Sequence, residues 1–361
     1  MGNLDSPRRY LPVHEPDRNT TGLAEDALPP ENTTQVGVAW HLPEVLRGFG
    51  VHLNDALDGA GVRRDAFSNP QDTIEYPSLQ RLLATCERLT RCDHIAMLVA
   101  QRTRLADFGV AGRAARCAAT AGEGLQQFVA NFNLHVGATT VTLVDAGGFA
   151  RLVYAITVRG IADARQLQLG AATAMFNVLQ DLCGRHWLPS VVTFATRSPS
   201  NLRPFHQFFR APLRFDSEES AVIFERRWLD RPLPPVDPVF RAQVDAELRE
   251  RQATLLENLP ALVRRMIRKQ LIIGQGGMDD VAAALGMHRR TLDRHLQKHG
   301  VHYGEIEESV GEEVARQLLR DTDLQVQQVA ESLHFSSAAN FATAFRRWTG
   351  MTPSEYRRQA R

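Results

Sequence analysis

Cysteine is scarce in this chain: Cys86, Cys92, Cys117 and Cys183 are the four among 361 residues, and no two form a CxxC pair. That spacing fits none of the common zinc patterns, and a large cytosolic chain has little use for disulfides. Long apolar runs are missing as well, since none reaches the ~18 residues that span a bilayer. Arg8-Arg9 near the start leads into Tyr-Leu-Pro-Val-His-Glu-Pro-Asp, not into an apolar signal core. The expectation is a cytoplasmic protein with reduced thiols and no membrane partner. A charge excess is absent too: 42 basic residues face 41 acidic ones, for a net charge of +1. Lysine is almost missing, with Lys269 and Lys298 the only two. The glycines at 109–112 and at Gly147-Gly148 lack the GxGxxG and GxxxxGK[ST] spacings, so they are read as turns and not as nucleotide cradles.

What is present is ordinary globular material, 43% hydrophobic and 23% charged. The length exceeds the ~100–200 residues of one domain and points to two folded units. Residues 1–38 hold five prolines and no sustained periodicity, which predicts a flexible extension. Residues 39–235 mix helix and strand. Leu79, Leu82, Leu83, Cys86 and Leu89 make one apolar helical face, which puts Cys86 in a core. Two β-branched runs, 138–144 and 149–158, flank Asp145-Ala146-Gly147-Gly148 as a hairpin. A helix follows over about 164–183, then strands near 191–196, 213–215 and 220–224, giving an α+β domain. Four prolines within 229–238 end it with an extended connection. A helical connection is expected over 236–270 and an all-helical domain over 271–361.

Chemistry concentrates in that last domain, which carries a net +3 from Pro260 onward. Val281, Ala282 and Leu285 line one face of a short helix that breaks at Gly286, a residue able to take the positive φ of a sharp turn. In the next helix Leu292 and Leu296 point inward, so Arg289, Arg290, Asp293, Arg294 and Gln297 share the outward face. This is the pattern of a recognition helix, where an arginine fork can bond guanine O6 and N7 in the major groove. The pattern recurs: Val329, Ala330 and Leu333 belong to a short helix, and Phe341, Phe345 and Trp348 to the one after it. Superposing Leu292 on Phe341 matches the first outward face to Ala338, Ala339, Ala342, Thr343 and Arg346. The two units are predicted at about 278–299 and 326–349.

The segments LGMHRRTLDRHLQKHGV (285–301) and LHFSSAANFATAFRRWTGMTPSEYRR (333–358) resemble the AraC/XylS family of transcription regulators. The resemblance implies an α+β N-terminal effector domain followed by an all-α domain whose two helix-turn-helix units are joined by a linker helix, here about Tyr303–Leu319. The upstream region is similar to the arabinose-binding-type N-terminal domain of one branch, through Gly-Val-Arg-Arg-Asp at 61–65, Ala-Pro-Leu-Arg-Phe-Asp at 211–216 and Leu-Asp-Arg-Pro-Leu-Pro at 229–234. Two departures stand out. His334 occupies a usual glycine position, which predicts a strained turn. Glu305, Glu307, Glu308, Glu312 and Glu313 surround Gly311 on the linker helix, which predicts that this face turns from DNA toward the other domain.

The implied activity is sequence-specific binding of double-stranded DNA, modulated by a small-molecule effector, with RNA polymerase and a second copy of the chain as further partners. Two helices about one DNA turn apart, ~34 Å, would enter successive major grooves. Arg290 and Arg294 would read bases, Asp293 would accept from cytosine or orient an arginine, and the alanines would offer only apolar contact. Asn340, Arg346 and Arg347 would hold phosphates. His135, Tyr154 and Arg159, in or beside the hairpin, are the candidate effector contacts. No catalytic set, cofactor or metal is expected: Cys92-Asp93-His94 fits no zinc spacing, and His135, His186 and His206 show no nucleophile–base spacing. The alternative is a sensor-enzyme with a catalytic N-terminal domain tethered to DNA.

Overall fold

The computed structural model describes residues 33–69, 72–135, 139–156, 161, 163–273, 277–285, 287–322 and 324–360. Contacts divide them into one unit that closes at Glu250 and another that runs from Arg251 onward. In the first unit, β1 (Thr33–Gln35) pairs antiparallel with β2 (Thr73–Glu75). A 3-10 turn follows over Val36–Ala39 and buries Val36 completely. Residues 33–38 were expected in the loose extension. Their order comes from a partner strand far downstream, which no local periodicity can reveal.

Helices α1 (Leu42–Gly48), α2 (Leu53–Ala60), α3 (Tyr76–Thr90), α4 (Ile95–Ala100), α5 (Gly109–Arg116), α6 (Ala121–His135), α7 (Arg165–Cys183) and α8 (Arg203–Phe209) surround a five-stranded sheet. Leu79, Leu82, Leu83 and Cys86 of α3 are buried as their spacing requires, while Leu89 in the last turn is 37% exposed. The strands are β3 (Thr139–Ala146), β4 (Phe149–Ile156), β5 (Val191–Thr193), β6 (Leu213–Arg214) and β7 (Ser220–Glu225), in the order β3-β4-β7-β5-β6. All neighbours are antiparallel except β5 and β6.

The predicted hairpin closes with Ala146 opposite Phe149, so its loop is Gly147-Gly148. Gly147 has φ +74°, the sign that lets a two-residue loop follow the strand twist. The pleat sends Ala150, Leu152 and Tyr154 inward, against Leu169, Ala172, Met175, Phe176 and Leu179 of α7. Each fully buried Leu or Phe contributes ~1.5–3 kcal/mol. Asn177 pins α7 to the end of α4, its amide donating to the carbonyls of Ala100 at 2.9 Å and Thr103 at 2.8 Å.

The proline-rich stretch is extended, with Leu233 N–H donating to the Ala119 carbonyl at 2.9 Å. It does not end the first unit. Val244 of α9 (Pro238–Glu257) packs against Ala114 and Cys117, and Arg113 meets Glu247 at 2.5 Å. The helical connection expected over 236–270 consists of two helices, with Pro260 in the first turn of α10 (Leu259–Ile273). Proline suits a first turn because its missing N–H is not needed there.

The second unit continues with α11 (Met278–Ala284), α12 (Arg289–Lys298), α13 (Tyr303–Asp321), α14 (Val326–Ser332), α15 (Ala338–Thr349) and α16 (Pro353–Ala360). Helix α13 packs against α10, α14, α15 and α16, and its buried Val310, Val314, Leu318 and Leu319 supply the apolar seam. Helix α14 ends in a Schellman motif, with His334 N–H donating to the Glu331 carbonyl at 3.1 Å and Phe335 N–H to that of Ala330 at 2.9 Å. His334 takes φ +60° there, the strained geometry its sequence position predicted. The equivalent bond after α11 is Met287 N–H to the Ala282 carbonyl at 2.9 Å. Gly286, the turn residue predicted between them, lies outside the described residues. His334→Gly is expected to stabilise the helical unit by ~0.5–1 kcal/mol, read as a higher urea midpoint. A lower midpoint would show that the imidazole contributes more than its backbone strain costs.

Candidate nucleic-acid interface and effector cavity

Helix α12 has two unlike faces. Leu292 and Leu296 are fully buried, while Arg289, Arg290, Arg294 and Gln297 are exposed and Asp293 half-exposed. His288 caps the helix by accepting from Arg290 N–H at 3.3 Å. Asp293 accepts from Gln297 Nε2 at 3.0 Å, and Arg289 lies 3.6 Å from Asp279. Among the described residues, the Arg290 and Arg294 guanidinium groups have no hydrogen-bond or ion-pair partner. His295 beside them is held below its ordinary pKa by burial and by the cations Lys298 and Arg294.

Helix α15 repeats the arrangement with aromatic ballast. Phe341 and Phe345 are fully buried, and ring contacts of 5.4–5.6 Å link Phe335, Phe341, Phe345 and Tyr356. Ser337 caps the helix, its hydroxyl accepting from Asn340 N–H at 3.2 Å. Ala339, Asn340, Thr343, Arg346 and Arg347 are exposed, with Ala338 and Ala342 half-exposed. Asn340 Nδ2 donates to Ser336 Oγ at 2.7 Å. Arg347 is bound by Glu308 of α13, which also accepts from Trp348 Nε1 at 2.6 Å. These two donors hold the Glu308 carboxyl below its usual pKa.

The linker-helix carboxylates have partners close by: Glu305 accepts from His302 N–H at 2.9 Å, Glu312 pairs with Arg316 at 2.7 Å, and Glu313 holds Arg264 and, at 2.7 Å, Arg268 of α10. These partners all belong to the helical unit itself. Glu307 differs: though it is an exposed residue, partial desolvation raises its carboxyl above the ordinary range, offset in part by His334.

Within the first unit the structure contains a cavity of about 100 Å³. Its wall joins α3, α4, α6 and α7 to β3 and β4, with Phe108, Phe128, Phe132, Met175 and Val178 among the apolar groups. Polar groups in the wall are Thr34, Tyr76, Thr103, Thr139, Tyr154 and Gln166. Tyr154, proposed from sequence, hydrogen-bonds through its hydroxyl to that of Tyr76, and burial pushes both phenols well above their usual pKa. The side chain of His135 and all of Arg159 lie outside the described residues. Thr103 and Tyr76 escaped sequence reading because nothing local marks a hydroxyl whose neighbours come from distant helices. The four cysteines are free and buried, and burial pushes the Cys86 and Cys183 thiols up to about 12. Among the described residues, no helix is long and apolar enough to cross a membrane.

The family model described as the arabinose-binding domain of AraC transcription regulators, N-terminal, matches residues 50–233, and a helix-turn-helix domain model matches 281–359. The ornithine utilization regulator of Pseudomonas aeruginosa is 25% identical over 325 residues, covering 89% of this chain and 95% of that protein. The transcriptional regulator VirS of Mycobacterium tuberculosis is 26% identical over 333 residues, covering 88% and 94%. Among solved structures, the transcriptional regulator CdpR of Pseudomonas aeruginosa is 22% identical and covers 85% of this chain and 96% of its own, with a TM-score of 0.42. With an arabinose-binding-type domain across half its length and a helix-turn-helix domain behind it, this chain belongs to the AraC family of DNA-binding transcription regulators.

Proposed function

We propose that the protein reads DNA with two helices, α12 and α15, and that a small molecule in the cavity of the first unit adjusts that binding. The observation that carries the reading is the outward face of α12, where Arg290 and Arg294 stand exposed above two buried leucines and have no partner among the described residues. Base readout needs guanidinium forks left available, and among the described residues these two are committed to no carboxylate. In this reading Arg290 and Arg294 contact bases, and Asp293 with Gln297 frames them. Ala338, Ala339, Ala342 and Thr343 meet the next groove through apolar surface. Asn340, Arg346 and Arg347 hold phosphates. RNA polymerase and a second copy of the chain are further partners, and the relatives' names favour a regulator over an enzyme.

The test is selection of binding sites from a random duplex pool by the full chain at ~150 mM salt, followed by anisotropy titration on the winner and on a scrambled duplex. Specific regulators bind their sites typically ~10³-fold or more tighter than other DNA. Equal affinity for both duplexes would reject the reading. Glu308 adds a sharper expectation, because it holds the same Arg347 that phosphate would. Glu308→Gln is expected to tighten binding to all sequences alike, by roughly two- to fivefold, through release of that arginine. Weaker binding would mean that the carboxylate aims Arg347 at the duplex.

A further inference from the structure

The cavity of the first unit is more selective than an effector pocket need be. None of its described lining residues carries a charge. Its hydrogen-bonding groups are hydroxyls and one side-chain amide, and the amide is engaged: Gln166 accepts from Ala96 N–H at 3.1 Å and donates to Glu87 and to the Asp93 carbonyl at 2.8 Å. Thr103 differs. It is 1% exposed, and its hydroxyl has no hydrogen-bond partner among the described residues. Its backbone is not slack, since the Thr103 carbonyl is held by Asn177 at 2.8 Å. A buried hydroxyl left unmatched costs ~1–3 kcal/mol, so such groups usually mark a missing partner. The Tyr76–Tyr154 pair contributes similarly: one O–H is spent between the two oxygens, which leaves the other proton to donate.

Resting on the reading of this cavity as the effector site, we propose that it binds an uncharged, mainly apolar molecule of about one-ring size, held by a hydrogen bond between an oxygen of the ligand and Thr103. Volume caps the ligand at about one ring, since a dry cavity of ~150 Å³ admits benzene and this one, at about 100 Å³, must widen by side-chain adjustment to take one. Charge is disfavoured because the described wall offers no counter-ion, and an ion entering it loses several kcal/mol of hydration. Phe108, Phe128 and Phe132, with ring centroids 5.1–6.1 Å apart, supply an aromatic flank for the apolar part.

Three probes on one skeleton test this: benzyl alcohol, benzoate and benzylammonium, titrated into the full chain while thermal unfolding of the first unit is followed. Benzyl alcohol is expected to raise the melting temperature saturably, and the two ions at equal concentration to leave it unmoved. Thr103→Val, which keeps the shape and removes the hydroxyl, is expected to leave the empty protein as stable or more so and to weaken benzyl alcohol about three- to tenfold. Ala174→Leu, which fills the cavity from α7, is expected to abolish the shift. The proposal is overturned if either ion stabilises as well as the alcohol, if Thr103→Val lowers the melting temperature of the empty protein, or if benzyl alcohol gives no saturable shift. Site-specific DNA binding is measured on the same samples. Its loss with the ligand shift intact would reject the regulator reading alone, and the converse would reject the ligand class alone.

Discussion

Arg290→Ala and Arg294→Ala are each expected to cost ~1–3 kcal/mol in binding to the selected site, a loss of roughly 5- to 150-fold, and to relax preference at one or two base pairs. The magnitude follows from loss of a bidentate guanidinium–base contact. The buried Leu292 and Leu296 beneath both arginines should leave the helix itself intact. Arg347→Ala should behave differently, lowering affinity for all duplexes by a similar factor and reducing the salt slope by about one. Its loss is smaller than for a free arginine because Glu308 already holds that side chain. The check is anisotropy titration of each variant on a panel of single-base-pair changes at two salt concentrations. If Arg290→Ala and Arg347→Ala lower affinity evenly across the panel, α12 positions the protein without reading sequence.

Gly112→Ala should be the most damaging single methyl in the first unit. A Cβ built on Gly112 falls 1.7 Å from the Leu105 carbonyl oxygen and 2.8 Å from its carbon. Both obstacles are backbone, so no rotamer change relieves them. Either α5 moves or the preceding 3-10 turn over Leu105–Phe108 does. Leu105 and Ala115 lie in the same core as Phe128 and Trp187, so the displacement would spread through close-packed side chains. We expect a loss of about 3 kcal/mol or more, read as a lower urea midpoint by fluorescence of the buried Trp187. Gly48→Ala, where an added Cβ meets nothing within 4 Å, is the control and should be neutral or slightly stabilising. Equal midpoints for the two variants would mean that α5 yields at little cost.

Legibility in the sequence tracked the range of the interactions. The hairpin, α7 and the two-faced α12 were readable because an i, i+2 or i, i+4 pattern and a turn residue are neighbours in the chain. The edges of elements were less so. Residues 33–38 looked unstructured because β1 gains its hydrogen bonds from β2. The first unit runs on past 235 because Val244 and Glu247 of α9 find partners on α5. Tyr154 was proposed as an effector contact from its place in the hairpin, and the pleat of β4 carries it to the cavity wall. Thr103, in a short connection after α4, gave no comparable signal.

The order of residues alone settled the two-faced chemistry of α12, with guanidinium groups on one face and leucines on the other. Those properties are local, fixed by 3.6 residues per turn. Packing decided which charges remain available. Glu308 and Arg347 stand 39 positions apart and Glu313 and Arg268 are 45 apart, so only the crossing of α13 with α10 and α15 brings each carboxylate to its arginine. The cavity is tertiary for the same reason, since a hollow is a property of helices and strands meeting, and no stretch of sequence contains it.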